Sequence, residues 1–342
     1  MDYKKNLLLI SDHPHRNENN WPFAVLCTER FNVKVFNLEK DSNHKHGVMR
    51  VLLDCLRVSL YCFINRNKYD ACIFFLAKKG IVLSIFARLF KIKLPKIILL
   101  DFIMFQRPSF VLTIFEKILV RYALGRSVLI TVPAKELVDY YKIYHFQSKI
   151  YYLPTPLPPT INIKEEKRGE IGDYAFCGGY SLRDWPTVLK AATYFHDTRF
   201  VVCGSSNDKA LLNLKWPENV SVFIDLPYYE FYEILSKAKF VVLAIADKHA
   251  PAGFLVLFHA LEYGKAVISS KTAGLVDCIN HGHNGLLFSH KDADDLIEKI
   301  NLLQRDSNLI VALGLNAKRT LEYFSDENYF QRFCQILDAE GL

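Results

Sequence analysis

The clearest candidates for chemistry lie in a glycine-containing segment of the second half of the chain. Gly178 and Gly179 end an apolar, strand-like run, and Arg183 follows shortly before a helix-like stretch. Glycines let backbone N–H groups approach an anion closely, and a helix N-terminus favours the same negative charge. A guanidinium adds a permanently charged, bidentate partner for phosphate oxygens. The segment therefore predicts a diphosphate site; the alternative is an ordinary strand–helix turn in which Arg183 pairs with Asp184.

A second candidate site lies further along the chain. Gly253 and Phe254 open a helix-like run, which places a backbone amide without a side chain where phosphate or sugar oxygens bind. His259 and Glu262 are three residues apart and therefore share one side of that helix. The pattern indicates a ligand-binding helix N-terminus. The alternative is a buried core helix in which His259 only packs.

Polar residues in the first half also follow apolar, strand-like runs. Asp101 ends one such run and is a candidate base for an acceptor hydroxyl, or a group that orients it. The alternative for Asp101 is a capping aspartate. His13, His15 and Arg16 lie in the polar loop after the first run and are candidates for the acceptor side of a site. A solvated loop explains these three residues equally well.

Short apolar runs alternate with stretches of helical periodicity in both halves, the pattern of βαβ units. In the first half the predicted strands are 6–11, 34–37, 71–76, 97–100 and 128–131, with helices over 49–65 and 110–124. In the second half the predicted strands are 174–177, 200–203, 220–223, 240–244, 266–269 and 285–288. The helices predicted there are 185–195, 228–238, 254–263, 292–304 and 326–339.

A proline-rich segment separates the two halves. Four prolines between Pro154 and Pro159 exclude a helix or a central strand, so residues 151–159 are interpreted as interdomain linker. The expected domains are 1–155 and 172–325, with a linker over 156–171 and a final helix in 326–342 that packs back toward the first domain. This organisation predicts an α/β fold of two Rossmann-like domains facing each other across a cleft, where doubly wound sheets usually bind ligands.

The second half contains a combination of motifs at Phe254–Ile268, Thr272–Ile279 and His281–Phe288, preceded by the Gly178–Trp185 segment. Together they resemble the retaining GT-B glycosyltransferases of the GT4-like group, the glycosyl transferases group 1. The resemblance implies a GT-B fold and a nucleotide-sugar, with UDP favoured, bound by the second domain. It also implies transfer with retained anomeric configuration, without a cofactor or bound metal.

Two acidic residues of that family pattern are absent. The first acid, which helps hold the donor sugar in the family, falls on Pro251, and the second, which binds the ribose hydroxyls, falls on His259. A neutral imidazole can still make a hydrogen bond to a ribose, and Glu262 is a less direct substitute. The sugar contact at Pro251 must come from the backbone or from the polar residues just upstream, which are Asp247, Lys248 and His249.

Charge is distributed unevenly along the chain. The formal net charge of +7 comprises +12 for residues 1–160 and −5 for the remainder. Basic residues alternate with Phe, Leu and Ile in 86–96, and a basic helix is expected over 110–126, which together favour adsorption to an anionic membrane surface. The alternative is a core-packed helix with solvated cations. No nucleic-acid-reading motif accompanies the charge, so nucleic acid is not an expected partner.

The remaining composition suggests a cytoplasmic protein. The eight cysteines lie mostly in apolar runs and form neither a C-x-x-C pair nor a zinc-like cluster, so reduced core thiols are expected. The first residues lack a signal-peptide apolar region, and no run of about 18 uncharged apolar residues suits a membrane-spanning helix. A peripheral location at the inner face of the membrane is expected.

The function predicted from these observations is glycosyl transfer from a nucleotide-sugar to a lipid-linked or polysaccharide acceptor, in bacterial surface polysaccharide synthesis. Arg183, the helix N-termini and Lys265 are expected to stabilise the departing diphosphate. One alternative is a GT-B-like sugar-nucleotide epimerase or phosphorylase. Another is a catalytically silent GT-B partner subunit, which the two missing acids favour.

Overall fold

The structure is a computed structural model that describes residues 4–11, 18–37, 48–75, 77–104, 110–125, 128–142, 147–161 and 172–342, without the side chains of 48–50 and 110–116. The chain divides into two compact units. The first unit comprises residues 1–155 together with 326–342, and the second comprises 156–325.

The first unit is built on a parallel sheet of six strands among the described residues, in the order β2-β1-β3-β4-β5-β6. These strands are β1 Asn6–Ser11, β2 Asn32–Asn37, β3 Ala71–Phe74, β4 Lys96–Leu99, β5 Val128–Val132 and β6 Lys149–Tyr152. The central strands β3 and β5 are buried at every position, as expected for a sheet covered on both faces. Continuous apolar runs therefore form the strands here, without polar alternation.

Helices of the first unit connect and cover these strands. They are α1 Pro22–Arg30, α2 Val48–Ile64, α3 Ala77–Leu89, α4 Phe110–Ala123 and α5 Lys135–Lys142, and the C-terminal helix Asp326–Ala339 joins them. That last helix packs on α1, where the rings of Phe23 and Phe333 are 5.2 Å apart. The Glu340 carboxylate, just beyond it, forms ion pairs of 2.8 Å with Lys96 and Lys149. The C-terminal helix is thus an integral part of the first unit.

The second unit repeats the architecture with a parallel sheet of strand order β12-β11-β10-β7-β8-β9. Its strands are β7 Tyr174–Gly178, β8 Arg199–Gly204, β9 Val220–Ile224, β10 Phe240–Leu243, β11 Ala266–Ser270 and β12 Leu286–Phe288. Its helices are α6 Trp185–Tyr194, α7 Lys209–Leu212, α8 Tyr228–Lys237, α9 Phe254–Glu262, α10 Leu275–Cys278, α11 Ala293–Arg305 and α12 Ser307–Thr320. With these labels the C-terminal helix Asp326–Ala339 is α13.

Two apolar cores cover the faces of the second sheet. Phe176 of β7 packs with Phe231 and Leu257 on one face. The residues before and after it, Ala175 and Cys177, point to the other core. This alternation follows the two-residue period of a strand. The helices α8 and α9 therefore lie on one face of the sheet.

The predicted fold class, two Rossmann-like α/β domains, is confirmed by these two sheets. One element was interpreted wrongly: Tyr151 and Tyr152, assigned to the linker, belong to β6 and pair with Thr131 and Val132 of β5. Aromatic residues suit an edge strand, and the proline-rich stretch begins only after them.

Candidate functional site

The order of the strands locates a binding crevice in the second unit. From β7 the chain proceeds through β8 and β9 on one side and then returns through β10 on the other. Such a reversal opens a crevice at the carboxyl ends of the two adjacent strands, here β7 and β10. Gly178 ends β7, and Arg183 forms an isolated antiparallel bridge with Ile245, which follows β10. Arg183 therefore lies at this crevice.

Two glycines shape the loop that carries Arg183. Gly179 has a φ of 137°, and a Cβ atom there would overlap the Arg183 guanidinium. At Gly178 a Cβ atom would collide with the ring of Phe176 and lie 2.9 Å from the ring of Phe231. Gly179 therefore lets the arginine side chain fold back over the loop, and Gly178 leaves room for the two phenylalanine rings.

The Arg183 guanidinium is buried, and no carboxylate of the described residues forms an ion pair with it. Its Nε donates to the carbonyl of Gly178 and its Nη1 to that of Ser181, both at 2.8 Å, and the residue is 8% exposed. Burial lowers the pKa of Arg183 to about 10. Asp184, the alternative partner, instead caps α6 by accepting from the backbone and hydroxyl of Thr187. Asp208 stabilises this charge electrostatically but forms no ion pair with it. A buried cation without a direct ion pair among the described residues is costly unless a ligand supplies the charge.

The N-terminus of α9 lies beside this arginine loop. Gly253, the N-cap residue, has a φ of 93° and no side chain to cap the first N–H groups. A Cβ atom on Gly253 would be 3.2 Å from Ile245, the residue that bridges to Arg183. Phe254 is turned away toward Gly274, where a Cβ atom would strike its ring. The structure thus brings together the two glycine segments identified in the sequence, and Phe254 supports the turn by packing.

His259 lies further along α9, on the buried side of the helix. It is fully buried, and its Nδ1 is 3.0 Å from Oε2 of Glu262. Its ring packs edge-on against Tyr232 at 4.4 Å, and Tyr232 interacts electrostatically with Arg183. The Nε2 atom of His259 is buried and has no hydrogen-bond partner among the described residues. An unsatisfied ring nitrogen of this kind needs an explanation other than packing.

Lys265 is not part of this arrangement. It directly precedes β11, and its Nζ donates to the carbonyl of Ala238, which precedes β10, at 2.8 Å. Both lie at the amino edge of the sheet, about 15 Å from the carboxyl edge for a five-residue strand. Burial lowers the pKa of Lys265 to about 8. The expected shared role of Lys265 with Arg183 is therefore corrected to a structural role.

Asp101 is the candidate in the first unit. It follows β4 at the carboxyl edge of the sheet, in a left-handed conformation with a φ of 51°. Its Oδ1 is buried without a hydrogen-bond partner among the described residues, and burial raises the pKa of Asp101 to about 6. Strain, burial and a raised pKa together are typical of functional carboxylates.

Three other candidates, His13, His15 and Arg16, lie outside the described residues. They follow β1, and the reversal of strand order in the first unit occurs between β1 and β3. Their assignment to an acceptor site stays a prediction.

An aromatic cluster that was not predicted from the sequence lies near Arg183. Tyr180 and Tyr228 are 44% and 51% exposed, and the ring of Tyr228 is 4.8 Å from that of Tyr232. The run of tyrosines at the start of α8 was the available signal, but a core assignment was equally consistent with it. Exposed tyrosine rings beside the loop that carries Arg183 provide an apolar platform with a polar edge.

None of the described helices is long and apolar enough to cross a membrane. No three His, Cys, Asp or Glu side chains of the described part of the chain converge as a metal site requires.

Comparisons with known proteins agree with this architecture. Residues 185–320 match the family described as Glycosyl transferases group 1. A segment of 109 residues, 32% of this chain, is 30% identical to 28% of the N,N'-diacetylbacillosaminyl-diphospho-undecaprenol alpha-1,3-N-acetylgalactosaminyltransferase of Campylobacter jejuni. An uncharacterised glycosyltransferase of Methanocaldococcus jannaschii is 27% identical over 46% of both chains. The chain thus matches less than half the length of these curated relatives.

Solved structures resemble the chain over its whole length. Sucrose-phosphate synthase of Thermosynechococcus elongatus has a TM-score of 0.73 at 13% identity, covering 98% of this chain and 99% of that chain. HepE of Anabaena, in complex with UDP and glucose, has a TM-score of 0.70 at 12% identity, covering 98% and 100%. At identities this low, the structural similarity establishes the fold alone, and that fold is GT-B.

Proposed function

We propose that the protein is a glycosyltransferase, because residues 185–320 match the Glycosyl transferases group 1 family and the fold of the chain is GT-B. The donor is a nucleoside diphosphate sugar bound by the second unit. The acceptor is a lipid-linked or polysaccharide precursor. As the family resemblance implies, the transfer retains the anomeric configuration and requires no metal.

The buried Arg183 guanidinium is the observation that carries this proposal. It lacks a carboxylate partner among the described residues and lies beside the uncapped N-terminus of α9. A diphosphate supplies the missing negative charge, and its oxygens accept from the remaining guanidinium and helix N–H groups. As the glycosidic bond to the diphosphate breaks, negative charge grows on the leaving oxygen. Groups already oriented toward that oxygen stabilise the transition state more than the ground state.

The nucleoside is assigned to the side of the crevice formed by α8 and α9. His259 and Glu262, joined by a hydrogen bond, take the ribose-binding place of the family's second acid. Exposed Tyr180 and Tyr228 offer rings for contact with a base. We favour UDP as the nucleotide, because HepE, a structural neighbour, binds it.

Asp101 is assigned to the acceptor. With a pKa raised to about 6, its carboxylate is ionised at neutral pH yet basic enough to accept a proton or a hydrogen bond from a sugar hydroxyl. The strained backbone conformation holds this carboxylate at the carboxyl edge of its sheet. We place the reaction at the cytoplasmic face of a bacterial membrane, in surface polysaccharide synthesis. The name of the Campylobacter jejuni relative, which includes an undecaprenol diphosphate, supports a lipid-linked acceptor.

A catalytically silent partner subunit is the second candidate, because His259 and Pro251 occupy the positions of two family acids. Calorimetry with UDP, GDP and ADP tests the donor site, and hydrolysis of the matching sugar nucleotides tests turnover. Binding of one nucleotide with slow donor hydrolysis supports a transferase. Nucleotide binding without any turnover, with or without oligosaccharide or lipid-linked acceptors, supports the silent subunit. Absence of binding to all three nucleotides contradicts both.

A further inference from the structure

Helix α2 presents apolar side chains on two sides. Cys55, Val58 and Cys62 are buried against the first unit. On the opposite side Leu56, Leu60, Ile64 and their neighbours are exposed, from 50% at Leu56 to 65% at Ile64. A surface helix of a globular protein normally carries polar residues on its outer side. The outer side of α2 is therefore built for an apolar environment.

An apolar groove runs between this outer side of α2 and helix α3. Its walls are Leu56, Leu60 and Phe63 of α2 with Leu83, Phe86 and Phe90 from α3 and its end. The groove has a volume of about 270 Å³, just below the ~300–1,000 Å³ of small-molecule pockets. A site of this size accepts part of one hydrocarbon chain.

A basic recess of about 800 Å³ continues the groove and shares the side chains of Phe63, Ile92 and Leu94 with it. Arg66 lines the recess with its guanidinium 4.5 Å from the ring centre of Phe63. Lys91 and Lys93 line it too, and neither pairs with an acid of the described part of the chain. The one acid there, Asp70, already accepts from the backbone N–H of Asn6 at 2.8 Å.

Lys91 occupies the left-handed position after α3, with a φ of 53°, where glycine is the usual residue. The N–H of Ile92 reaches back to the carbonyl of Ala87 at 2.8 Å, which fixes this turn. A lysine in this conformation is less favourable than in its preferred conformations. The turn fixes the backbone of Lys91 at the end of the apolar groove.

We propose that this groove and recess bind one anionic phospholipid of the membrane, with an acyl chain between α2 and α3 and the phosphate against Arg66, Lys91 and Lys93. The exposed apolar side of α2 inserts among neighbouring lipids. Two other occupants fit less well. Nucleic acid has no hydrocarbon chain to fill the apolar groove. A second copy of this chain would bring the same cations to the patch and repel it.

The lipid held here is an anchor and is not the acceptor. Lys91 and Lys93 precede β4 at the amino edge of the sheet, whereas Asp101 follows β4 at its carboxyl edge. The inference rests on the proposed function only for its biological purpose, which is to keep the enzyme at the membrane that holds a lipid-linked acceptor. Nucleotide binding in solution tests the transferase, and vesicle binding tests the anchor, so the two proposals fail separately.

Flotation of the full chain with vesicles tests the anchor. Binding to mixed phosphatidylcholine–phosphatidylglycerol vesicles should be at least about tenfold stronger than to phosphatidylcholine alone, and should fall as salt rises. Leu60→Asp should weaken binding to the mixed vesicles by about tenfold or more, because a leucine that lipid would bury is lost and a charge is added. Val311→Asp, at an equally exposed valine of the second unit, is the matched control and should leave binding unchanged.

The phosphate half is tested with Lys91→Glu and Lys93→Glu, each expected to weaken binding to the mixed vesicles by about tenfold. Lys215→Glu, at an exposed lysine of the second unit, is their control. Unchanged nucleotide affinity and melting temperature show that each variant is folded. Equal binding to both vesicle types contradicts the phosphate contact, and equal binding of wild type and Leu60→Asp contradicts the groove.

Soluble probes separate a single-lipid site from its rivals. Dodecyl phosphate should bind more tightly than either dodecyl maltoside or inorganic phosphate, because only it occupies both groove and recess. Equal affinity for inorganic phosphate would instead indicate a free-phosphate site. Sedimentation velocity without lipid tests self-association: a dimer that Leu60→Asp dissociates would overturn the lipid anchor in favour of a second copy.

Discussion

Replacing Arg183 by alanine is the sharpest test of the donor site. The side chain spends two N–H groups on the carbonyls of Gly178 and Ser181, and its Nη2 has no partner among the described residues. The unused N–H groups are those available to a diphosphate. Losing one charge-assisted hydrogen bond costs about 1.5–3 kcal/mol, which corresponds to a nucleotide affinity weaker by roughly 10–150-fold.

The variant must be separated from a folding defect. Arg183→Ala leaves two loop carbonyls without their donors, so some loss of melting temperature is expected. Arg183→Lys keeps the charge but loses the planar fork, and should give an intermediate affinity. Arg199→Ala removes an exposed arginine at the first residue of β8 and serves as the control. Isothermal titration with UDP and GDP measures the effect.

If folded Arg183→Ala binds every nucleotide as tightly as wild type, the buried guanidinium is a structural clamp for its own loop. The donor site would then lie elsewhere in the second unit.

Three further predictions concern the remaining candidates. Gly253→Val should abolish nucleotide binding, whereas Gly282→Val, at a glycine of similar φ with open space around it, should not; equal effects would mean that strain alone is responsible. His259→Ala should weaken nucleotide binding by about 0.5–1.5 kcal/mol. His259→Glu should melt near the wild-type temperature and be stabilised by nucleotide if the site faces ribose; a large loss of melting temperature without nucleotide rescue would assign His259 to the core. If Asp101 is the base, the rate of glycosyl transfer should rise with pH through about 6, and Asp101→Asn should remove that dependence. Because burial disfavours the ionised carboxylate, Asp101→Asn should also raise the melting temperature at pH 7. A lower melting temperature would contradict a buried carboxylate without a partner.

The local pattern of the sequence determined most of the fold. Strands such as β1 and β5 are continuous apolar runs, and burial on both faces of a parallel sheet requires that composition. The edge strand β6 was not predicted, because Lys149–Tyr152 is short, half-buried and closely followed by prolines. The glycines before Arg183 and α9 were equally visible, since special backbone geometry restricts the residue type.

Tertiary structure alone decided which of these residues meet. Gly178 and Gly253 are far apart in the sequence, and only the neighbouring positions of β7 and β10 bring their loops together at Ile245. Lys265 is close to His259 in sequence, yet α9 returns the chain to the opposite edge of the sheet, so Lys265 is separated from Arg183. The spacing of two residues along the chain determines whether they lie on the same side of a helix. The order of the strands in a sheet determines which loops meet at one edge, and that order depends on long-range packing.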